Sequence, residues 1–394
     1  MKRLLTIGHS YVVAANRRLA HEMALAGAGE WEVTAVAPER YPGDLRDVEL
    51  EPIPGEACRV IPVPVRFARR PHLMRYGRAL RTLLRGERWD VVHCWQEPYV
   101  LSAAQVARAA QADAALVYAT FQNLAKRYPP PFAQLERAAM RRADGWIAFG
   151  RTVEATLAGR PGYRDRPHAV IPPGVDTARF HPDADARRRI RQQLGWGDDG
   201  APVIGYLGRF VEAKGLDVLT GALDRTIGEW RALFVGGGPD QPKLEAWAAE
   251  SHGRARVMTG VGHDQVPAHL AAMDVLVAPS LTTPRWREQF GRMLTEAMAC
   301  GVPVVASDSG EIPHVVDDAG IITPEGDADA LAAVLGELIA SPAGRAELSR
   351  RGLARVAAEF TLPQVARRHL HFFDTMLAQK QAMESPRGTE TRGR

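Results

Sequence analysis

Short apolar segments alternate with helical patterns along almost the whole chain, and this alternation limits the possible folds more than any other feature of the sequence. The series opens with an apolar segment at residues 2–8, a helical pattern at 16–28 and a second apolar segment at 32–37. Such a strand–helix–strand order predicts a parallel sheet with helices on its faces. We therefore expect an α/β fold.

The alternation runs in two series that a proline-rich segment separates. The first series includes a helical pattern at 72–85, and the second begins with a strand at 202–207. A chain of 394 residues is long enough for two domains with separate cores. We predict a first Rossmann-like domain at 1–172, a linker at 173–182, a second Rossmann-like domain at 183–361, a C-terminal helix at 362–382 that packs back toward the first domain, and a disordered tail at 383–394.

The composition is typical of a globular protein from a reducing compartment. Cys58, Cys94 and Cys300 are scattered and odd in number, which argues against a disulfide framework or a zinc site. The N-terminus carries no signal-peptide pattern, and no apolar run reaches the ~18 residues of a membrane-spanning helix. We expect a cytoplasmic protein without a metal site.

Positive charge is concentrated in the first half of the chain. Residues 1–172 contain 25 Lys and Arg against 17 Asp and Glu, whereas the rest contains 25 against 29. Nine arginines lie in residues 59–88, where Glu87 is the one acidic residue. This basic segment is either a solvated helix face or a surface for an anionic acceptor or lipid head groups, which would give peripheral contact with the inner membrane face. We expect no nucleic-acid partner, and the oligomeric state stays open.

Two cations follow the first strand of the second series. Residues 208–215 read Gly-Arg-Phe-Val-Glu-Ala-Lys-Gly. Open α/β sheets bind ligands at the carboxyl ends of their strands. Arg209 and Lys214 either face a diphosphate there, or they are two surface cations in a loop between Gly208 and Gly215.

Two carboxylates, Glu288 and Glu296, flank the predicted start of a helix at Gly291. A helix N-terminus offers free N–H groups and the positive end of a dipole to a phosphate or a sugar oxygen. Glu296 could accept hydrogen bonds from ribose hydroxyls, and Glu288 could do the same for a sugar ring. Carboxylates eight residues apart also occur often by chance.

Glycines at 236–238 could let the backbone approach a nucleotide. Gln241 breaks the Gly-x-Gly-x-x-Gly fingerprint of dinucleotide-binding proteins, and the sequence contains no P-loop pattern. In the first series, polar residues stand at three strand ends, although a lone histidine in such a place is more often structural. The candidates for residues that face a cleft there are Gly8, His9, Ser10, His93, Gln122 and Asn123.

Taken together, these motifs resemble the retaining glycosyltransferase family 4, which has the GT-B fold of two Rossmann-like domains facing each other across a cleft. The resemblance covers nearly the whole chain, and its elements occur in the family's order. The matching segments are 90–93, 171–176, 208–215, 235–239, 274–280, 288–296 and 299–306.

The resemblance implies a role for each candidate residue. Arg209 and Lys214 would hold the donor diphosphate and stabilise charge on the leaving group. Glu288 would bind hydroxyls of the donor sugar, and Glu296 would bind the nucleotide ribose. Further donor contacts would come from Gly8, Gly208, Gly237, Gln289, Phe290 and Gly291.

The resemblance also implies the reaction: a hexose moves from a UDP- or GDP-sugar to a glycan, lipid-linked or small-molecule acceptor with retention of configuration. The family's usual account is a front-face substitution assisted by the departing phosphate. No metal or other cofactor is implied, because the two cations replace a metal. One position departs from the family, which often has a histidine where this sequence has Gln122. Glutamine can donate and accept hydrogen bonds, but it cannot take up a proton at neutral pH.

Three alternatives remain at the level of sequence. A dinucleotide oxidoreductase is opposed by the missing fingerprint. A nucleotide-sugar epimerase fits the order of motifs poorly. A catalytically silent GT-B protein, acting as a partner subunit or sugar-nucleotide sensor, is favoured by Gln122 and opposed by the presence of Arg209, Lys214, Glu288 and Glu296.

Overall fold

The computed structural model describes residues 1–43, 47–197 and 200–384. The predicted disordered tail lies outside the described residues from 385 onward. The chain divides into two compact units, as predicted. The first comprises Met1–Phe149, Val153–Ile171 and the chain from Pro363 onward, and the second comprises Gly150–Thr152 and Pro172–Leu362.

The first unit is built on a seven-stranded parallel sheet. The strands of this unit, in the main sheet and in two small pairs beside it, are β1 (Lys2–Ile7), β2 (Trp31–Pro38), β3 (Arg40–Pro42), β4 (Asp47–Glu49), β5 (Arg59–Val63), β6 (Val65–Arg66), β7 (Arg75–Tyr76), β8 (Val91–Cys94), β9 (Ala115–Thr120), β10 (Gly145–Ala148) and β11 (His168–Val170). The sheet order is β11-β10-β9-β8-β1-β2-β5, while β3 pairs with β4 and β6 with β7. Strands β8, β9 and β10 are buried along their whole length, as expected for parallel strands that helices cover on both faces.

The second unit contains a six-stranded parallel sheet. Its strands are β12 (Val203–Arg209), β13 (Arg231–Gly237), β14 (Ala255–Met258), β15 (Val275–Ala278), β16 (Val304–Ser307) and β17 (Ile321–Thr323), in the order β14-β13-β12-β15-β16-β17. Alternate residues face two separate cores: Leu233 and Val235 enter one, and Ala232 and Phe234 enter the other. The strand order reverses between β12 and β15, and open α/β sheets bind ligands at such a switch point.

Helices connect the strands in both units. The α-helices are α1 (Ala14–Ala26), α2 (Arg78–Gly86), α3 (Leu101–Ala109), α4 (Phe132–Arg142), α5 (Arg151–Leu157), α6 (Ala184–Gln193), α7 (Leu216–Arg225), α8 (Gln241–Glu250), α9 (Val266–Ala271), α10 (Arg292–Ala299), α11 (Ile312–Val316), α12 (Ala328–Ala340), α13 (Pro342–Arg355) and α14 (Leu362–Glu384). Among the described residues, none of the helices combines the length and the apolar character needed to cross a membrane.

The last helix, α14, packs on the sheet of the first unit although it follows the second unit along the chain. Phe373 is fully buried, and the centre of its ring lies 6.3 Å from that of Trp31 and 5.2 Å from that of His93. Lys2, at the start of β1, pairs with Asp374. The core of the first unit is therefore completed by the C-terminal part of the chain.

The helix predicted at 72–85 begins later than expected. Residues 75–76 form β7, and Gly77 N donates a hydrogen bond to Pro64 O at 2.8 Å, so that α2 starts at Arg78. Leu73, Tyr76 and Leu80 have helical spacing, but pairing with β6 decides the conformation of the first residues. The prediction was correct for the last eight residues of this segment, 78–85, and wrong for the residues before Arg78.

The segment predicted as a linker, 173–182, is packed into the second unit. Val175 and Phe180 are buried in its core. Val175 N donates to Phe360 O at 2.8 Å, and Val175 forms a β-bridge with Thr361. The apolar residues of this segment therefore stabilise the fold.

Candidate functional site

The two predicted motifs of the second unit meet at the switch point of its sheet. Strand β12 ends at Arg209, and the loop after it contains Lys214, whereas Glu288 follows β15. The two strands are hydrogen-bonded neighbours. Both motifs therefore lie at the sheet edge where this kind of fold binds ligands.

Lys214 and Glu288 form a buried ion pair at this edge. The Lys214 ammonium donates to Glu288 Oε2, and Ser280 Oγ donates to the same oxygen at 3.0 Å. The exposed fractions are 9% for Lys214 and 7% for Glu288. Little water screens the pair, so an anion that reached Lys214 would compete strongly with Glu288 for the ammonium.

Gly215 lets the lysine loop approach β15. Its φ is +67°, and a Cβ there would lie 1.9 Å from Pro279 O. Leu281 N also donates to Ala213 O at 2.9 Å, which ties the two loops together. A side chain at position 215 would separate the loops, so glycine is required for Lys214 to reach Glu288.

Glycines at the ends of β12 and β13 allow a close approach of the two strands. A Cβ at Gly236 would lie 1.8 Å from Gly208 O. A Cβ at Gly237 would meet no atom of the described residues within 4 Å. Gly208 and Gly236 therefore serve strand packing, and Gly237 borders open space that a ligand could use.

Helix α10 begins directly after Gly291, as the sequence predicts. Gly291 has a φ of +79°, a conformation that favours glycine. Gln289 is exposed, whereas the Phe290 side chain is buried against Phe360, with ring centres 5.8 Å apart. The segment can thus offer backbone groups and the N-terminus of α10 to a phosphate or a sugar.

Glu296 lies on the second turn of α10. Burial raises the pKa of its carboxyl, and electrostatic interactions with Arg292, His263 and Arg179 oppose this effect. Arg292 Nη2 lies 3.9 Å from Glu296 Oε1. This partly desolvated carboxyl can accept hydrogen bonds from hydroxyl groups.

Arg209 has a different setting from Lys214. It is exposed at the end of β12, and its carbonyl accepts a hydrogen bond from Tyr206 Oη at 2.8 Å. Within the described ranges, its guanidinium forms no ion pair. The structure therefore supplies one buried cation and one exposed cation on the two sides of the same loop.

Trp286 was not identified from the sequence. Its ring centre lies 4.8 Å from Lys214 Nζ. A single tryptophan in a loop has no periodicity or spacing that would reveal this contact. Its position two residues before Glu288 is the one clue that the sequence contains.

In the first unit, Gly8, His9 and Ser10 lie at the carboxyl end of β1. A Cβ at Gly8 would lie 2.9 Å from the Tyr11 ring. The His9 ring lies 5.4 Å from that of Tyr41, and burial lowers the pKa of the His9 imidazole. These residues directly follow the end of a strand, as the sequence analysis predicts.

His93 lies inside the first unit. Its exposed fraction is zero, and its Nδ1 shares a hydrogen bond with Thr6 Oγ1 at 3.0 Å. Burial, together with the neighbouring His369, holds the pKa of the imidazole well below its usual range. This placement supports the structural interpretation of His93 and does not support contact with an acceptor.

Gln122 and Asn123 are buried after β9. Gln122 Nε2 donates to Leu124 O, and Asn123 O accepts a hydrogen bond from Thr156 Oγ1 at 3.2 Å. Both residues therefore help to fix their own loop.

Glu97 is the ionisable group next to this loop, and the sequence analysis missed it. Its carboxylate accepts hydrogen bonds from Thr120 Oγ1 at 2.7 Å and Phe121 N at 2.6 Å. Burial raises the pKa of Glu97 to about 7. A lone glutamate three residues after a strand has no distinctive spacing, so only the folded structure reveals it.

Among the described residues, no group of three or more His, Cys, Asp and Glu side chains is arranged to hold a metal ion. The charged groups that the structure does bring together at the switch point of the second unit are Lys214, in the loop after β12, and Glu288, four residues before the start of α10.

Two α/β units, each built on a parallel sheet, are characteristic of the GT-B fold. The crystal structure of HepE from Anabaena, in complex with UDP, matches with a TM-score of 0.73 at 19% identity and covers 95% of this chain and 100% of that one. The predicted fold class is therefore confirmed.

The chain belongs to glycosyltransferase family 4, as its motifs predict. Residues 15–179 match the family described as Glycosyltransferase Family 4, and residues 201–341 match Glycosyl transferases group 1. The lipopolysaccharide core biosynthesis mannosyltransferase LpsB of Rhizobium meliloti is 31% identical over 256 residues, which are 61% of this chain and 71% of that protein.

A second relative is more similar over a shorter region. The GDP-mannose-dependent alpha-(1-6)-phosphatidylinositol monomannoside mannosyltransferase of Mycolicibacterium smegmatis is 39% identical over 191 residues, or 46% of this chain. The match covers 50% of that protein, so the chain spans about half the length of this relative.

Proposed function

We propose that this protein transfers a hexose from a nucleoside diphosphate sugar to an acceptor, with retention of configuration and without a metal. The observation that supports the proposal most is the buried Lys214–Glu288 pair at the switch point of the second sheet. The pair offers a cation for a diphosphate and a carboxylate for sugar hydroxyls within one hydrogen bond of each other.

The proposed donor contacts follow from this placement. Lys214 and Arg209 bind the diphosphate and stabilise the charge that develops as it leaves, which is the largest contribution in most transfers of this kind. Glu288 accepts hydrogen bonds from the donor sugar, and Glu296 accepts them from the ribose. The backbone of Gln289, Phe290, Gly291, Gly237, Gly208 and Gly8 adds further donor contacts.

The proposed chemistry takes place on one face of the sugar. The bond between the anomeric carbon and the phosphate oxygen breaks while the acceptor oxygen bonds to the same face of that carbon. The departing phosphate takes the proton of the acceptor hydroxyl, so the step balances without a protein base. This agrees with the presence of Gln122 at the position where the family often has histidine, because a glutamine side chain cannot take up a proton at neutral pH.

The donor is proposed to be a GDP- or UDP-hexose, and GDP-mannose is the first to test. The mycobacterial relative and HepE support the two nucleotides: the first is named as GDP-mannose-dependent, and the second is solved with UDP. A thermal-shift screen against UDP, GDP, ADP, their sugar conjugates and NAD tests this choice. Ligand at ~100 times its dissociation constant adds about 2.7 kcal/mol to the free energy of unfolding.

We expect a clear shift with one sugar nucleotide, followed by its slow hydrolysis in the absence of acceptor. A shift with NAD alone would replace the proposal with an oxidoreductase. If a sugar nucleotide raises the melting temperature but is not turned over with any class of acceptor, the result would favour a catalytically silent partner subunit or sensor.

Glu296→Ala tests the ribose contact: affinity for the nucleotide should fall, and unaltered affinity would remove this assignment.

We also propose that the acceptor or its surroundings are anionic and that the basic segment 59–88 meets a membrane surface. All nine arginines of this segment are exposed. Phe67 is 61% exposed and lines a cavity of about 470 Å³ together with Arg69. An exposed aromatic ring among arginines suits the boundary between anionic head groups and acyl chains.

Co-sedimentation with vesicles tests this contact. Vesicles with anionic lipid should bring the protein down at low salt, neutral vesicles should not, and binding should fall as salt rises. Replacing Arg66, Arg69 and Arg70 together by serine should abolish binding, whereas Arg164→Ser, on an exposed arginine outside the segment, should not. Absence of binding to anionic vesicles at low salt would contradict the membrane contact without touching the proposed transfer.

A further inference from the structure

A tight turn at residues 283–286 stands directly beside the Lys214–Glu288 pair. Thr283 N donates to Trp286 O at 2.7 Å. Thr283 Oγ1 accepts hydrogen bonds from Arg285 N at 3.3 Å and from Trp286 N at 3.0 Å. One backbone pair and one hydroxyl thus close the turn and fix the direction in which the Trp286 side chain leaves the backbone.

The turn is anchored to the loops that follow β16 and β17. Thr282 Oγ1 donates to Glu325 Oε1 at 2.5 Å and lies 3.0 Å from Ser309 Oγ. Glu325 N in turn donates to Asp308 Oδ1 at 2.9 Å. Because three loops share these hydrogen bonds, the start of the turn has little freedom to move.

The indole ring of Trp286 covers one side of the Lys214 ammonium. Lys214 Nζ lies 4.8 Å from the centre of the ring, while Glu288 takes up another side. A cation within ~6 Å of an aromatic face is attracted by the ring, and tryptophan attracts it most strongly. The ammonium is therefore held between a π-face and a carboxylate, with water excluded from both directions.

We propose that Trp286 is a positioning residue for recognition of the donor diphosphate: it holds the Lys214 ammonium in place and keeps water from one side of it. The inference rests on the proposed function, since it deepens the role given there to Lys214. A lysine ammonium has three donors, so Lys214 can bind a phosphate oxygen without leaving Glu288. Without the ring, the four-carbon stem gains freedom that must be lost again when the diphosphate binds.

The inference separates Trp286 from a residue that merely packs. If Trp286 only packed, its removal would lower stability and would lower the affinity for all nucleotides to the same extent. A role through Lys214 should depend on the second phosphate, because the charge that the lysine is proposed to stabilise develops on the phosphate that leaves the sugar, and a monophosphate lacks that group. Removing the ring should therefore lower the affinity for nucleoside diphosphates more than the affinity for nucleoside monophosphates.

Titration calorimetry with GDP, GMP, UDP and UMP tests this on the full chain. We expect Trp286→Leu to lower the affinity for the preferred diphosphate by about 3- to 20-fold, with less than a twofold change for its monophosphate. Trp286→Phe keeps an aromatic face and should recover most of the loss. Trp247→Leu, a half-buried tryptophan on α8 of the same unit, is the matched control and should change neither affinity.

A second pair of variants acts through the turn. Thr283→Val removes the hydroxyl that accepts from Arg285 N and Trp286 N, so it should lower diphosphate affinity in the same direction, and Thr283→Ser should restore it. These variants decide the matter if Trp286→Leu does not fold. Equal affinities in wild type, Trp286→Leu and Thr283→Val, or equal losses for diphosphate and monophosphate, would overturn the inference while leaving the proposed function standing. Failure of the wild type to bind either diphosphate would remove the proposed function and this inference together.

Discussion

At the scale of single residues, the candidate site depends on charges that the fold keeps away from water. Lys214, Glu288 and Glu97 each stand in a setting where a partner or a proton must balance their charge. Their residue types are ordinary in sequence, and their chemistry comes from burial. Two predictions belong to this scale.

Lys214→Ala should lower turnover of the sugar nucleotide by about 10²–10³-fold, because the leaving diphosphate loses its buried cation. The free energy of unfolding should fall by about 2 kcal/mol, since the buried Glu288 carboxylate loses the cation that balances its charge. Turnover assays and urea unfolding measure the two effects. Lys243→Ala, on a surface lysine 2.7 Å from Asp217, is the control and should leave turnover unchanged. Wild-type turnover in Lys214→Ala would remove the assignment of this lysine to the diphosphate.

Glu97→Gln should flatten the dependence of stability on pH. The pKa of Glu97 is raised to about 7 by burial, so between pH 4.5 and about 7 the folded protein holds a proton that the unfolded chain has lost. The wild type therefore loses stability as pH rises through this window. The difference between wild type and variant should change by up to about 3 kcal/mol between pH 4.5 and 7.5.

Urea unfolding at several pH values measures this change. Glu229→Gln, at an exposed position of the second unit, should run parallel to the wild type. Parallel curves for Glu97→Gln as well would mean that Glu97 is ionised across the whole window, and the protonated state of the carboxyl would then be excluded.

At the scale of elements, strand interiors could be predicted and loop geometry could not. The apolar segments at 2–8, 114–120 and 202–207 correspond to β1, β9 and β12 because buried parallel strands need continuous apolar runs. The helix predicted at 72–85 was wrong at its start, since pairing between β6 and β7 is a tertiary effect that overrides a helical period.

Gly236→Ala and Gly237→Ala form a matched pair at the end of β13. A Cβ at Gly236 would collide with Gly208 O at 1.8 Å, so we expect a loss of about 2–4 kcal/mol in the free energy of unfolding. A Cβ at Gly237 would meet open space among the described residues, so its stability should stay within about 0.5 kcal/mol of wild type. Chemical unfolding of both variants gives the comparison. Equal losses would show that strand separation at this point is not fixed by Gly236.

At the scale of the whole molecule, the chain order and the packing order differ. Helix α14 follows the second unit in sequence, yet its apolar residues complete the core of the first. The first unit therefore cannot reach its full stability until the last part of the chain is present.

Phe373→Ala should destabilise the first unit by about 3–5 kcal/mol, because a cavity beside Trp31 of β2 and His93 of β8 replaces a fully buried ring. Gln379→Ala, at an exposed position of the same helix, should have little effect. Hydrogen exchange resolved by residue would locate the loss and separate the two units. Faster exchange in the second unit alone would contradict the assignment of α14 to the core of the first.

The sequence by itself determined the class of fold, the two-domain plan and the identity of the motifs around Lys214 and Glu288. These follow from local patterns: apolar runs, turn residues and motif order are properties of neighbouring residues. The tertiary structure alone decided that Lys214 and Glu288 are paired, that Trp286 covers the ammonium, and that His93 is interior. Burial and contact between residues far apart in the chain are set by packing of whole elements, and no local pattern encodes them.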